Sequence, residues 1–278
     1  MKEISAKLYL SGSKGIREVS AAGSVLRRMP MEDAGAICVG KEYLFCADAG
    51  GAVWKIRRDT LMPEAIFCGG PGICDLCLSE DETRLYALLG DADSVLLIDC
   101  RKGRPLYLNH CGCNPSQLLL CGDVLAAAGG QSGRVHLYDA QTLTCEKEIQ
   151  MPGPVQSIAM EAEKLYALCL SPQMDTLLVA ADKKRRENRH LCGMPGSLAV
   201  QWKTLYVATQ GGIHVFDCRN LNLLCKNRII GRPDTIQIVQ KYIIVHDPYS
   251  QGVYSLDSDS KWKELASEVN DLVIDIGD

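Results

Sequence analysis

No apolar run in this chain of 278 residues approaches the roughly 18–20 residues that a membrane-crossing helix needs. The opening stretch, MKEISAKLYLSG, lacks the apolar core of a secretory signal, which runs about 7–15 residues. These two absences predict a cytoplasmic protein that does not engage the membrane. A basic excess is missing too: 30 Lys and Arg stand against 34 Asp and Glu, a formal net charge of −4. A dedicated nucleic-acid binder is normally basic over a whole domain, so none is expected here. Histidine is scarce, with five in all, and no G-x-S-x-G, H-E-x-x-H or phosphate-loop motif occurs. Helical periodicity is absent as well, since no 10–12-residue segment, the usual minimum for a helix, carries apolar residues at 3.6 spacing.

Cysteine, by contrast, is plentiful. Its 14 residues are about 5% of the chain, below the roughly 8–10% of short secreted disulfide scaffolds. Most are expected to be reduced core thiols, because free cysteine packs as a small apolar residue. With 47% hydrophobic and 23% charged residues, the composition is that of an ordinary globular protein.

What the chain has is a repeat. Each unit opens with a short apolar run: GAICV, ICDLCL, QLLLC, VQSIAM, SLAVQW and TIQIV. A second run follows a short turn, as in EYLFCAD, RLYALLG, DVLAAAG, KLYALCL, TLYVATQ and KYIIVHD. A third is AVWKI, SVLLID, RVHLYD, TLLVAAD, IHVFD or VYSLD, and a fourth leads toward a proline at 71, 115, 154, 195 or 233. Units start near residues 34, 73, 116, 155, 197, 235 and 272, in steps of 39, 43, 39, 42, 38 and 37. Short strands bounded by Gly, Asp and Pro at about 40–50 residues per repeat signal four-stranded propeller blades.

The final run, Leu272 to Ile276, opens a unit that nothing follows, and the first residues supply the missing three strands: KLYLSG, IREVSA and SVLRRM. The expected fold is all-β, a single seven-bladed β-propeller domain over residues 1–278. Its four-stranded antiparallel blades lie near 34–72, 73–115, 116–154, 155–196, 197–234 and 235–271, and the last is shared between 272–278 and 1–33. Sharing one blade between the two ends of a propeller leaves no free radial edge.

The unit that starts near Ile73 and continues as LSEDETRLYALLGDADSVLLIDCRKGRPLYLNHCGCNP resembles the YVTN-type repeat. The same frame recurs in RVHLYDAQTLTCEKEIQMPGP, IHVFDCRNLNLLCKNRIIGRPD and LSPQMDTLLVAAD. The chain therefore resembles the lactonase-like, YVTN-repeat group of seven-bladed propellers over essentially its whole length, a likeness specific for fold. It lacks the Gly-His and Trp-Asp pairs of WD repeats.

Asp99, Asp139, Asp217 and Asp257 recur at the end of the third strand. Four equivalent positions predict turn chemistry, with each carboxylate accepting backbone N–H groups a few residues on. The recurring prolines suit the crossovers between blades, since proline cannot donate to a ladder. Binding residues in propellers concentrate on the second-to-third-strand loops and crossovers, around the central channel, because loops set on a rigid scaffold carry function. Here those loops include DAGG, GDADS and HDPYSQG, which makes Asp48, Asp91, Asp93, His246, Asp247 and Tyr249 the candidate binding residues. The opening strands add Asp75, Gln117, Gln156, Gln201, Gln237 and Asp275, of which alternation sends about half toward the channel.

Asp48, Asp91 and Asp93 could together attract a divalent cation, but no D-x-D-x-D-G loop accompanies them, so neither metal nor cofactor is expected. His136 and His214 each precede a turn aspartate by three residues and read as repeat features. Cys74 and Cys77 fall in a strand and point to opposite faces, which leaves Cys111 and Cys113, with His110, as the better thiol pair. One basic run, KKRRENRH from Lys183 to His190, stands out in an acidic chain and reads as a solvated turn or an anion-facing patch. The functional expectation is a monomeric, non-catalytic recognition scaffold for a protein or peptide. The alternative is a small-molecule hydrolase or lyase, lactonase-like, with its site at the channel mouth.

Overall fold

The protein was analysed as a computed structural model, which describes residues 7–20, 23–182, 185–228, 233–239, 242–248, 250–256 and 262–275. All regular structure among them is strand. In chain order the strands are β1 (Lys7–Ser11), β2 (Ile16–Ser20), β3 (Val25–Met29), β4 (Ala34–Val39), β5 (Tyr43–Asp48), β6 (Ala52–Arg57), β7 (Met62–Cys68), β8 (Ile73–Leu78), β9 (Arg84–Leu89), β10 (Ser94–Asp99), β11 (Arg104–His110), β12 (Pro115–Cys121), β13 (Val124–Gly129) and β14 (Arg134–Asp139). They continue as β15 (Cys145–Gln150), β16 (Val155–Glu161), β17 (Lys164–Leu170), β18 (Thr176–Ala181), β19 (Arg186–Leu191), β20 (Pro195–Gln201), β21 (Thr204–Thr209), β22 (Gly212–Asp217), β23 (Leu223–Arg228), β24 (Thr235–Val239), β25 (Tyr242–Asp247), β26 (Gly252–Leu256), β27 (Trp262–Ala266) and β28 (Asp271–Asp275). They form seven four-stranded sheets, six from consecutive strands and one in the order β28-β1-β2-β3. The fold is the expected seven-bladed β-propeller.

The strands group into two compact units. The first spans Met1–His110 and Val239–Asp278, and the second spans Cys111–Ile238. In the first unit, β28 pairs antiparallel with β1, with Leu10 opposite Leu272 and Lys7 opposite Asp275. Second strands such as β9 (RLYALL) and β17 (KLYALCL) are apolar and buried almost throughout, as strands covered on both faces should be.

Each opening strand has one edge with no ladder partner, and a buried unpaired N–H or C=O costs about as much as a lost hydrogen bond. Side chains of the preceding opening strand fill the gap. In the first unit, Asp271 Oδ2 accepts from the Ile37 backbone N–H at 3.0 Å, and Asn270 donates to the Ala34 carbonyl at 2.9 Å. In the second unit, the Gln117 amide accepts from the Ile158 N–H at 2.7 Å and donates to the Ile158 carbonyl at 3.5 Å. There too, Ser157 Oγ accepts from Leu198 N–H at 3.1 Å, and Gln201 donates to the Ile238 carbonyl at 3.4 Å. Gln117 and Gln201, named from the sequence among six polar residues of which about half were expected to face the channel, act as links between sheets.

The turn aspartates behave as their recurrence predicts. Asp99 accepts from the N–H groups of Arg101 and Lys102, Asp139 from those of Gln141 and Thr142, and Asp217 from that of Arg219. Asp257 lies outside the described residues. A second feature of these turns was not foreseen. Leu143 and Leu221, four residues after the aspartate, are left-handed at φ 54° and 53°, and both side chains are buried. The equivalent residue after Asp99 is Gly103, at φ 60°. A Cβ there would lie 2.6 Å from Phe67, whose ring occupies the space that leucine fills elsewhere.

Two charged residues on β2 tie the composite sheet to its neighbours. The Glu18 side chain, only 1% exposed, pairs with Lys7 at 2.9 Å and with Arg27. Arg27 in turn donates to the carbonyls of Arg58, at 2.6 Å, and Asp59. Arg17 donates to the Ser267 and Glu268 carbonyls at 2.8 and 3.0 Å. Removing the buried carboxylate strands two cations, and breaking a buried pair typically costs about 3–5 kcal/mol. Lys7 and Arg27 remain partly exposed, so Glu18→Ala should cost about 3 kcal/mol, at the lower end of that range, read by urea denaturation.

Arg219 beside Asp217, helped by the turn N–H groups, holds that carboxyl at about 2, below its ordinary 3.8. A depressed folded value gives stability that is present above the unfolded value and lost as the pH falls through the folded one. Asp217→Asn should therefore flatten the decline in stability between about pH 4 and pH 2, measured by thermal melts across that range.

Candidate functional site

The sequence-predicted binding residues all fall in the first unit, at the ends of β5, β9–β10 and β25. Asp48 ends β5 and closes the turn into β6. Its Oδ1 accepts the Ala52 N–H at 2.9 Å, and its Oδ2 accepts the Trp54 indole N–H at 2.8 Å. Both carboxylate oxygens are thereby engaged within one hairpin. The turn is fixed to the following crossover, because the Gly51 carbonyl accepts from the N–H groups of Gly69 and Gly70 at 3.0 and 2.9 Å.

Asp91 and Asp93 occupy the β9–β10 turn. Asp91 is exposed, and its carboxylate lies against Gly72, where a Cβ would stand 2.8 Å from Oδ2. Gly72 is left-handed at φ 73°, so the close approach and the backbone both require glycine. The Gly90 N–H donates to the Gly72 carbonyl at 3.0 Å, repeating the tie between turn and crossover. Asp93 is itself left-handed at φ 48°. Its Oδ2 stands 3.7 Å from His110 Nε2, with the two side chains 23% and 71% exposed. This pairing went unread in the sequence, although a hairpin that places Ser94 opposite His110 brings the two together.

The reading of His246 needs correction. It does not begin a loop: β25 runs through it to Asp247, and the connection to β26 holds only residues 248–251. His246 is 2% exposed, with Nε2 on the Val269 carbonyl at 2.8 Å. Asp247, also buried, takes a hydrogen bond from Ser250 Oγ at 3.2 Å, and Tyr254 donates to Ser250 at 3.1 Å. Tyr249 lies outside the described residues. The alternation of a strand buried on both faces put His246 inside, and nothing in HDPYSQG alone marks where that strand ends.

The other chemistry-bearing groups are held by the repeat. His136 and His214 are buried on β14 and β22. His136 Nδ1 meets the Tyr138 hydroxyl at 3.2 Å, and His214 Nε2 meets Thr209 Oγ1 at 3.5 Å. Burial, with Lys226 adding to it, pulls the His214 imidazole below its ordinary value. All 14 cysteines are thiols, and the expectation that most sit in the core is corrected: seven are buried and five exposed. The exposed ones, Cys68, Cys74, Cys145, Cys192 and Cys225, lie mainly on or next to outer strands, where both faces meet solvent. Burial pushes the Cys46, Cys100 and Cys169 thiols up to about 12, far from the thiolate that nucleophilic chemistry needs. Cys111 and Cys113 are buried whereas His110 is exposed. Among the described residues, no three of His, Cys, Asp and Glu come together as a metal cluster.

Two kinds of aspartate thus share this end of the blades, one consumed by its own turn and one facing solvent. Asp48→Ala leaves a backbone and an indole donor without their acceptor and should cost about 1–2 kcal/mol. His110→Ala removes only a surface pair and should change stability by less than about 0.5 kcal/mol. Thermal melts of the two variants check both expectations.

No family model matches the chain, and a search of curated proteins finds no match. Solved structures do match. A functionally unknown protein from Desulfotomaculum acetoxidans superposes with a TM-score of 0.79 at 11% identity, over 96% of this chain and 98% of that one. A 6-phosphogluconolactonase-like protein from Bacteroides fragilis gives 0.77 at 10% identity, over 99% of each. Hydrazine synthase from Kuenenia stuttgartiensis gives 0.71 at 15% identity, over 81% of this chain and 77% of that one. At such identities the likeness is one of fold, and the fold supports neither a scaffold nor a catalyst in particular. Among the described residues, no helix is long and apolar enough to cross a membrane. The comparisons therefore show a shared fold and assign the chain no activity.

Proposed function

We propose that this chain is a divergent YVTN-type propeller that serves as a monomeric, non-catalytic recognition scaffold, holding a protein or peptide on the turn-and-crossover end of its blades. The observation that supports this reading is the main-chain lacing of that end. In the first unit, Gly51 is bonded to Gly69 and Gly70, Gly72 to Gly90, Ser11 to Asn270, and Gln251 to Val269. A surface fixed in this way needs little ordering when a partner docks, which preserves affinity. Asp91, exposed on the β9–β10 turn, and the Asp93–His110 pair are the polar groups this surface offers.

A second reading, lactonase-like hydrolysis or lysis of a small molecule, draws on the Asp93–His110 pair as an acid–base couple. At 3.7 Å the two groups stand beyond hydrogen-bond length, on side chains 71% and 23% exposed, so they form a surface pair and not a tightly oriented couple. The scaffold reading is therefore preferred.

The test is isolation of the tagged, full-length protein from its own host under reducing conditions, beside an Asp91→Arg variant. A polypeptide recovered near one-to-one with the parent, and at least tenfold less with the variant, supports the scaffold. Recovery of a bound metabolite instead, or lactone hydrolysis that His110→Ala abolishes, overturns it.

A further inference from the structure

The charge of the turn-and-crossover end differs between the two units. In the first unit, its turns and the strand ends beside them carry Asp48, Asp91, Asp93 and Asp247. Its crossovers and the strand that follows add Glu32, Asp33, Glu268 and Asp271. Against these stands Lys14, the one Lys or Arg among the described residues of these loops, and Glu268 holds it at 2.6 Å. One residue deeper, Arg17 and Arg28 lie opposite each other on β2 and β3. Arg17 is buried, with its guanidinium on the Ser267 and Glu268 carbonyls. Even with both arginines counted the excess is negative, and a carboxylate that accepts turn N–H groups still adds its charge to the field. The matching positions of the second unit carry Asp175 and Asp234 against Arg134 and Arg228 among the described residues, which balances. The repeat runs through both units and so does not account for the difference.

The same end of the first unit also has a recess. A pocket of about 380 Å³ is lined by Ser13 and Lys14 of the β1–β2 turn and by Pro30, Met31 and Glu32 of the β3–β4 crossover. Turn and crossover close directly on each other. Gly15 is left-handed at φ 80°, and a Cβ there would collide with the Met29 carbonyl and stand 2.7 Å from the Met31 nitrogen. Glycine is required on both counts, and the recess is therefore built into the backbone. Pro30 and Met31 give it an apolar wall. Glu32 stands exposed at its rim, beside Asp33, which is exposed as well.

Resting on the scaffold reading above, we propose that the segment held at this end is basic: a Lys- and Arg-rich stretch of a partner protein. One of its apolar side chains sits against Pro30 and Met31, and its cations face Glu32, Asp91 and Asp93. Charge complementarity selects this occupant. The carboxylates are spread over successive turns and crossovers, and among the described residues no three of His, Cys, Asp and Glu converge on a metal site. A spread of negative charge is met by several cations on one chain better than by a single ion. An acidic segment or a nucleic acid meets the same field as repulsion. Complementarity of this kind sets partner choice and encounter rate more than affinity, and the recess supplies a fixed point for register.

The experiment places a benzoylphenylalanine photo-crosslinker at the exposed Ser13 of the full-length protein in its own host. The same group at exposed Gln131, on the charge-balanced end of the second unit, is the control. Crosslinks from position 13 should map to a segment of one protein in which Lys and Arg outnumber Asp and Glu. Their yield should fall with Asp91→Asn and Glu32→Gln together, and at least tenfold with Asp91→Lys and Glu32→Lys. With every carboxylate intact, raising NaCl from about 0.1 to 0.5 M in the extract should lower the yield several-fold, as screening of exposed charge requires. A yield that survives the salt overturns the proposal whatever the variants do, because no change in folding intervenes. Crosslinks to a neutral or acidic segment, or no more than from position 131 while a partner is still recovered with the tagged protein, overturn it and leave the scaffold standing. No partner by either route overturns both.

Discussion

The constraint on which this molecule depends is the unpaired edge of each opening strand. A sheet of four strands ends in N–H and C=O groups that a neighbouring, splayed sheet cannot meet in a regular ladder. Burying them bare would be costly. The protein answers with single side chains aimed across the gap: Asp271 to Ile37, Gln117 to Ile158, Ser157 to Leu198. Each supplies one or two hydrogen bonds in place of a ladder. Hence polar residues recur on strands that are otherwise apolar, and those polar residues are committed to architecture.

The same economy governs the loops. Aspartate recurs because it closes turns, and a carboxylate that accepts local N–H groups is held by its own turn. Asp48, Asp99, Asp139 and Asp217 all belong to this class, Asp48 and Asp217 through both oxygens and Asp99 and Asp139 through Oδ1. Asp91 differs, since no turn closure accounts for its exposed carboxylate. Separating the two classes narrows the candidate surface to a few groups, and exposure together with the occupancy of the oxygens does the separating.

The architecture was legible because strand length, turn residues and a near-constant period are all written locally. Even the composite sheet could be read, since IREVSA and SVLRRM have no other sheet to join. Edges were less certain: β12 and β20 begin at Pro115 and Pro195, two residues before the apolar runs that announce them. The site was much less legible. Asp48 is recognised as a clamp only through Trp54, which the hairpin sets opposite Cys46 and within reach of the Asp48 carboxylate, and His246 is recognised as buried only once β25 is known to run through it. The left-handed leucines at 143 and 221 leave no local mark, because leucine is not a residue that announces φ > 0. Such facts belong to pairs and environments, which a single chain of letters does not display.

The pairing of β1 with β28 also sets an order of events in time. On the ribosome, β1 to β3 emerge early, yet the strand that completes their sheet comes some 260 residues later. At the usual ~5–20 residues per second of synthesis, that is a wait of roughly 13–50 s. Throughout it Leu8 and Leu10, fully buried in the finished molecule, lack the partner strand that later covers one edge. The ion pair between β2 and β3 is informative here, because Glu18 and Arg27 lie within these three strands and can pair before β28 arrives. That pair ties β2 to β3 and leaves the edge of β1 to the strand that arrives last.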